Sequence, residues 1–181
     1  MSDLSTLKEM VVSPDANQRK IAAKAFYELS DVSHKKNRAP MVRADWEIVE
    51  NLCECMLMQE GDARHLALLA INNLSIPSEN KRAFIAENHS TAVISALLNI
   101  IDNDPSEAYL ASICLMNLSF LESSVPVIAG FPGLLHTMET VLKDGAKAKS
   151  GSGKSESVRW ACGLLKVRVP RRYPVVAVRK A

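Results

Sequence analysis

Apolar and polar positions along most of the chain follow the period of an α-helix. In residues 16–30, apolar side chains recur at spacings of three and four, which places Ile21, Ala22, Ala25, Phe26 and Leu29 on one face. Similar patterns divide the sequence into the predicted helices 4–12, 16–30, 45–59, 63–75, 79–88, 90–101, 106–119, 122–129, 134–142 and 157–167. The pattern predicts an all-α protein.

Proline, glycine and aspartate residues separate these segments. Ser13-Pro14-Asp15 ends the first segment, and the Asp15 carboxylate is suited to cap the helix that follows. We expect Pro40 to interrupt the chain and Gly61-Asp62 to form a turn, with Asp62 as a cap. A polar insert is expected at 143–156, between two helices.

Three of the predicted helices end in related tripeptides, Glu28-Leu29-Ser30, Asn73-Leu74-Ser75 and Asn117-Leu118-Ser119. The central leucines are 45 and 44 residues apart. A fixed period in this range indicates stacked helical units, none of which can bury its apolar face alone. The 181 residues accommodate about four units of roughly 40 to 47 residues. We therefore expect function to reside on a repeated surface.

The best-developed unit contains Asn80-Lys81-Arg82, the pairs Val93-Ile94 and Leu97-Leu98, and the segment 112–119. With its short, medium and longer helices, this unit resembles the armadillo repeat. The resemblance covers about residues 4–167 and is strongest in 45–119. It implies an all-α, right-handed α-solenoid of three to four stacked units, the first of them partial. Residues 168–181 form a basic tail outside the pattern.

The armadillo resemblance also implies a groove for an extended or helical partner segment along the third helix of each unit. Asn73 and Asn117 match the family's ladder asparagines, which hold the partner's backbone. Four residues earlier stand Leu69 and Ile113, where nuclear-import adaptors carry Trp. A receptor for basic import signals is therefore not favoured, whereas a general protein or peptide groove is. The predicted partner-binding residues are Lys24, Glu28, Leu66, Leu69, Asn73, Leu110, Ile113 and Asn117.

A structural role for the ladder asparagines stays open as well. An asparagine near the end of a buried helix can bind a helix terminus, because its amide both donates and accepts hydrogen bonds.

Charge is divided unevenly along the chain. Residues 1–142 hold 11 Lys and Arg against 18 Asp and Glu, a net charge of −7, whereas 143–181 hold 11 against 2, a net charge of +9. The tail groups Lys166, Arg168, Arg171 and Arg172 near Tyr173. This basic region could serve a nuclear-transport-like or nucleic-acid-associated adaptor, contact an anionic membrane, or dock on the acidic body. Nucleic acid is expected only through this tail.

Little in the sequence points to catalysis, and we expect neither an enzyme nor a small-molecule substrate. The four cysteines, Cys53, Cys55, Cys114 and Cys162, form no CxxC pair, so we expect buried thiols rather than a zinc site or disulfides. The four histidines are scattered. No cofactor or metal site is therefore predicted.

Residues 148–155 match a relaxed phosphate-loop pattern, but no strand precedes them. A P-loop nucleotide binder is kept as a minor alternative.

Residues 1–10 lack the basic and apolar regions of a secretory leader, and no stretch approaches the roughly 20 apolar residues of a membrane span. We expect a cytoplasmic and/or nuclear protein. An apolar last unit without a polar cap would favour self-association. The sequence leaves open whether the chain is a fragment of a longer armadillo protein.

Overall fold

A computed structural model describes residues 4–58, 61–86 and 89–145. These residues form α1 (Leu4–Met10), α2 (Ala16–Ser30), a 3₁₀ helix (Val32–Asn37), α3 (Arg38–Ala44), α4 (Glu47–Leu57), α5 (Gly61–Leu74), α6 (Ser78–Phe84), α7 (Ser90–Asn103), α8 (Ala108–Ser119), α9 (Ser124–Ala129) and α10 (Leu134–Gly145). The described part of the chain contains no β-strand, which confirms the all-α class. The helix predicted at 157–167 lies outside the described residues.

Local sequence explains how several of these helices begin. Asp15 caps α2, since its carboxylate accepts a hydrogen bond from the backbone N–H of Asn17 at 2.8 Å. The expected interruption at Pro40 is wrong, because Pro40 is the third residue of α3. A proline is tolerated in the first turn, where the backbone N–H groups have no intrahelical acceptor.

Two predicted loops also differ from the structure. Gly61 and Asp62 belong to the first turn of α5 rather than to a preceding turn, and Asp62 pairs with Lys20. α10 continues to Gly145, beyond the expected end at Leu142, so the start of the predicted insert is helical.

The helices pack in rows that join equivalent elements of successive units. α2, α5 and α8, which we call the third-helix row, pack side by side in that order. α4, α7 and α10 form a second row, to which α1 adds by contacting α4, and α3 packs on α6. The two main rows are joined within units by the α4–α5 and α7–α8 contacts. Helices that are about 44 or 45 residues apart in the sequence thus pack side by side in neighbouring units.

A single apolar cluster runs through these rows. Its largest fully buried side chains are Phe26, Phe84, Ile48, Leu52, Met56, Leu68, Ile71, Leu74, Ile94, Leu97, Ile100 and Leu115. Cys53, Cys55 and Cys114 are free and buried, as predicted. Burial raises the pKa of Cys53 to about 12 and also raises that of Cys114, so these thiols are held in their neutral form. Cys162 lies outside the described residues.

Ile21 corrects the predicted core face of α2. Its side chain is 59% exposed, whereas Ala22, Ala23 and Phe26 are fully buried. α2 packs closely on α5, and the small alanines suit a close approach of two helix backbones. The helix is therefore rotated so that Ile21 faces away from the core.

Polar side chains from the first helix of a unit bind the last carbonyl groups of the preceding third helix. Arg38 Nε donates to the Ser30 carbonyl at 2.6 Å, and Asn80 Nδ2 donates to the Leu74 carbonyl at 2.9 Å. The Ser124 hydroxyl donates to the carbonyl of Leu118. The C-terminal carbonyl groups of each third helix thus accept a hydrogen bond from a side chain of the next unit. This hydrogen bond satisfies carbonyls that have no intrahelical partner.

Asn80→Ala tests this contact. The Asn80 amide is 3% exposed and also donates to the Arg38 carbonyl at 2.9 Å, so its removal leaves two carbonyls without this donor. We expect a loss of roughly 2–4 kcal/mol in the free energy of unfolding, measured by urea denaturation. Asn103→Ala, which removes an exposed amide from α7, is the matched control and should cost less than about 0.5 kcal/mol. Equal losses in the two variants would contradict the assignment.

Candidate protein-binding surface

The eight predicted partner-binding residues all lie on the third-helix row. α2 carries Lys24 and Glu28, α5 carries Leu66, Leu69 and Asn73, and α8 carries Leu110, Ile113 and Asn117. The two charged residues are exposed, and the other six are half-buried. Because α2, α5 and α8 pack side by side, folding brings these residues together on three neighbouring helices.

Ile21 belongs to the same surface, although the helical periodicity of α2 predicted that it lies in the core. It precedes Leu66 by 45 residues and Leu66 precedes Leu110 by 44, the same spacings that separate the leucines of the repeated tripeptides. The repeat spacing could therefore have identified Ile21, whereas the helical periodicity of α2 alone pointed elsewhere. We define the third-helix surface as the eight predicted residues together with Ile21.

The two ladder asparagines contact the preceding unit. Asn73 Nδ2 donates to Ser30 Oγ at 3.4 Å, and Asn117 Nδ2 donates to Ser75 Oγ at 3.3 Å. The repeated tripeptide thus has a structural logic, because the asparagine of one unit binds the serine of the unit before it. The structural role that the sequence left open is present in both asparagines.

The side-chain Oδ1 atom of each ladder asparagine accepts no hydrogen bond from a described residue. Asn117 Nδ2 donates in addition to Asn72 Oδ1 at 3.1 Å, a contact that the sequence analysis did not anticipate. No described residue donates to Oδ1 of Asn73 or Asn117. Their carbonyl oxygens can therefore accept a hydrogen bond from a bound chain.

An ion pair and a histidine–carboxylate contact lie at the N-terminal ends of α5 and α8. Arg64 Nη1 lies 2.8 Å from Asp104 Oδ2, and His65 Nδ1 lies 2.9 Å from Glu107 Oε1. Hydrogen bonds from Ser106 and then from Arg64 lower the pKa of Asp104. Together with the Lys20–Asp62 pair between α2 and α5, these contacts join neighbouring third helices near the N-terminal ends of the row.

The remaining predictions concern metal sites, membrane spans, the phosphate-loop match and the basic tail, and the described residues include only part of the sequence on which they rest. Among residues 4–58, 61–86 and 89–145, no cluster of three or more His, Cys, Asp or Glu side chains could hold a metal ion. No described helix has both the length and the apolar character needed to cross a membrane. The phosphate-loop match at 148–155 and the basic residues Lys166, Arg168, Arg171 and Arg172 lie outside the described part.

Comparison with known proteins gives one informative likeness. No protein-family profile and no curated protein matches the sequence. A crystal structure described as an engineered protein, from the Northeast Structural Genomics Consortium, is similar, with a TM-score of 0.66 and 20% sequence identity. The match covers 91% of this chain and 62% of the engineered protein, so this chain spans less than two thirds of that protein's length. At this identity the likeness concerns the fold alone.

Asp104→Asn should lower the free energy of unfolding by an amount that depends on pH. A carboxylate whose pKa is lower in the folded state stabilises the protein above its unfolded pKa of about 4, and this stabilisation is lost as the pH falls through the folded pKa. We expect the variant to lose roughly 1 kcal/mol of unfolding free energy at pH 7 and much less at pH 3, measured by urea denaturation. Glu122→Gln, at an exposed position, is the control and should change little at either pH. A loss of equal size at both pH values would rule out the ionised pair as its cause.

Proposed function

We propose that the protein is a non-catalytic protein-interaction module built as a right-handed α-solenoid of armadillo type. The 44- and 45-residue period, the rows of laterally packed helices and the all-α fold support this architecture. An extended or helical segment of a partner would lie along the third-helix surface, across α2, α5 and α8.

One observation carries the proposal. Equivalent positions on three successive third helices, occupied by Ile21, Leu66 and Leu110, remain at least partly accessible on adjoining helices. A partner segment that crosses the row would therefore meet the same kind of contact in each unit. Stacked repeats of this kind create extended binding surfaces rather than a single pocket.

The roles of the surface residues follow from their chemistry. The Oδ1 atoms of Asn73 and Asn117 would accept hydrogen bonds from the backbone N–H groups of the partner. Apolar residues such as Leu69 and Ile113 would contact partner side chains. On α2 the equivalent positions are Glu28 and Lys24, whose charged atoms are 3.7 Å apart on the exposed helix face. This end of the surface would therefore select polar or charged parts of the partner.

A nuclear-transport-like or nucleic-acid-associated adaptor remains a second proposal. It depends on the basic region 143–181, with its net charge of +9, rather than on the third-helix surface. Binding of this type would weaken steeply as salt concentration rises, because basic residues that contact phosphates release counterions.

Affinity capture with the double variant Asn73→Arg, Asn117→Arg tests the proposed module. We expect partners captured by the wild type from a cell extract to be lost from the variant, because two long cations would occupy the path of the partner backbone. Asn99→Arg, Asn103→Arg, which makes the same change on the exposed face of α7, is the matched control and should keep the partners. Circular dichroism and thermal melting show whether all three proteins fold. Unchanged partners in a folded Asn73/Asn117 variant would overturn the proposal.

A second variant separates binding from structure. Ser30→Ala, Ser75→Ala removes the serine acceptors of both ladder asparagines but leaves their amides in place. We expect a loss of about 1–2 kcal/mol in unfolding free energy and retained partner capture, since the partner uses the Oδ1 atoms. Loss of the partners from this variant at a temperature where it is fully folded would show that the asparagines act mainly by stabilising the row.

A further inference from the structure

One end of the third-helix row carries a regular line of exposed apolar side chains. Val32, Ile76 and Phe120 follow the C-terminal ends of α2, α5 and α8, and successive members are 44 residues apart. They are 71%, 44% and 63% exposed. We call these three residues the apolar edge. Exposed single apolar residues are common, but recurrence at the repeat period places one in each successive unit.

The apolar edge adjoins the ladder asparagines. The backbone nitrogens of Ile76 and Phe120 lie 3.4 Å from the backbone carbonyl oxygens of Asn73 and Asn117, respectively. Asn117 in turn binds Ser75, the residue before Ile76. A segment that occupies the third-helix surface can therefore reach the apolar edge without leaving the row.

Basic residues are concentrated in the segments that follow α2 and α5. The segments 31–44 and 76–89 hold six of the eleven Lys and Arg residues in 1–142 but only three of the eighteen Asp and Glu residues, whereas 120–133, which follows α8, holds one Glu and no Lys or Arg. Lys35, Lys36, Arg43 and Arg82 are exposed. An otherwise acidic body is thus basic in the segments that contain Val32 and Ile76, and these segments would repel the chain's own basic tail.

Lys81 places a cationic group beside the apolar edge. Lys81 as a whole is 9% exposed, and its Nζ lies 5.5 Å from the centre of the Phe120 ring. This Nζ makes no hydrogen bond or ion pair with a described residue. Burial lowers its pKa, as expected for an ammonium group that loses water. Lys81 Nζ is not one of the fully buried polar atoms of the described residues, so an anionic group of a partner can reach it.

We infer that the apolar edge and Lys81 bind an acidic, extended segment of a protein partner that carries a bulky apolar residue at every third position. Packed helices lie about 8–10 Å apart, so the edge residues should have a similar spacing. A polyproline II segment advances about 9 Å per turn of three residues and presents every third side chain on the same side. Intervening Asp and Glu residues would face Lys81 and the exposed basic residues. This inference rests on the proposed function, because it specifies the partner of the same row.

Fluorescence anisotropy with labelled 12-residue peptides tests the inference on the full chain. The probe has Leu at every third position with Glu or Asp between, one comparison peptide has Lys in place of the acids, and another has Ser in place of Leu. We expect only the probe to bind, and its affinity to fall as salt screens the charges. No binding of the probe, or equal binding of the Lys-containing peptide, would overturn the inference.

Variants locate the binding site. Phe120→Ser and Lys81→Met, the latter retaining an apolar stem, should each weaken the probe's affinity about fivefold or more, whereas Leu135→Ser on the exposed face of α10 should not. Circular dichroism verifies folding. Unchanged affinity in both edge variants would overturn the inference.

Two further measurements would reveal a different occupant of the apolar edge. Tighter binding of a peptide with the sequence of residues 168–181 would assign the edge to the chain's own tail. A dimer in sedimentation velocity that Phe120→Ser dissociates would assign it to a second copy. Either result overturns the inference, whereas capture by the Asn73/Asn117 variant tests the proposed function separately.

Discussion

The structure depends on the burial of each third helix against the third helices of neighbouring units. Small side chains such as Ala22, Ala67 and Ala111 are fully buried in the row and suit the close packing of α2, α5 and α8. Burial of a large side chain such as Leu68 adds about 1.5–3 kcal/mol. Since one unit cannot bury this surface alone, the units must stack, and stacking aligns their outer residues into one surface.

Polar contacts then join the stacked units at both ends of the row. At one end of the row, Asn117 binds Ser75 of the preceding unit, while at the other end Arg64 pairs with Asp104. Asn80 binds the end of α5 and thereby joins a unit to the next first helix. Ladder asparagines therefore stabilise the stack through their N–H groups, and in the proposed function they also bind a partner through their carbonyl oxygens. The two uses are compatible because they involve different atoms of the amide.

The C-terminal end of the third-helix row is distinguished by exposed apolar side chains and by nearby basic residues. The body is acidic overall, yet the segments that follow α2 and α5 are basic, and the apolar edge follows all three third helices. Complementary charge contributes mainly to the specificity and rate of association, whereas buried apolar contacts contribute most to affinity. In the proposed function, the apolar residues at the repeat spacing would contact a long partner segment in several units, and the basic segments would favour acidic residues within it.

The sequence by itself determined the helical class, the period, the span of α2, the cap at Asp15 and the row on which the predicted binding residues lie. These features are encoded locally, in residue spacing and capping chemistry. Only the tertiary structure decided that Ile21 faces solvent, that Asp62 pairs with Lys20, and that Lys81 is buried beside Phe120. The physical reason is that the rotation of a helix about its axis, and the partners of its polar side chains, are determined by neighbouring helices more than 40 residues away in sequence or by the packing of adjacent units.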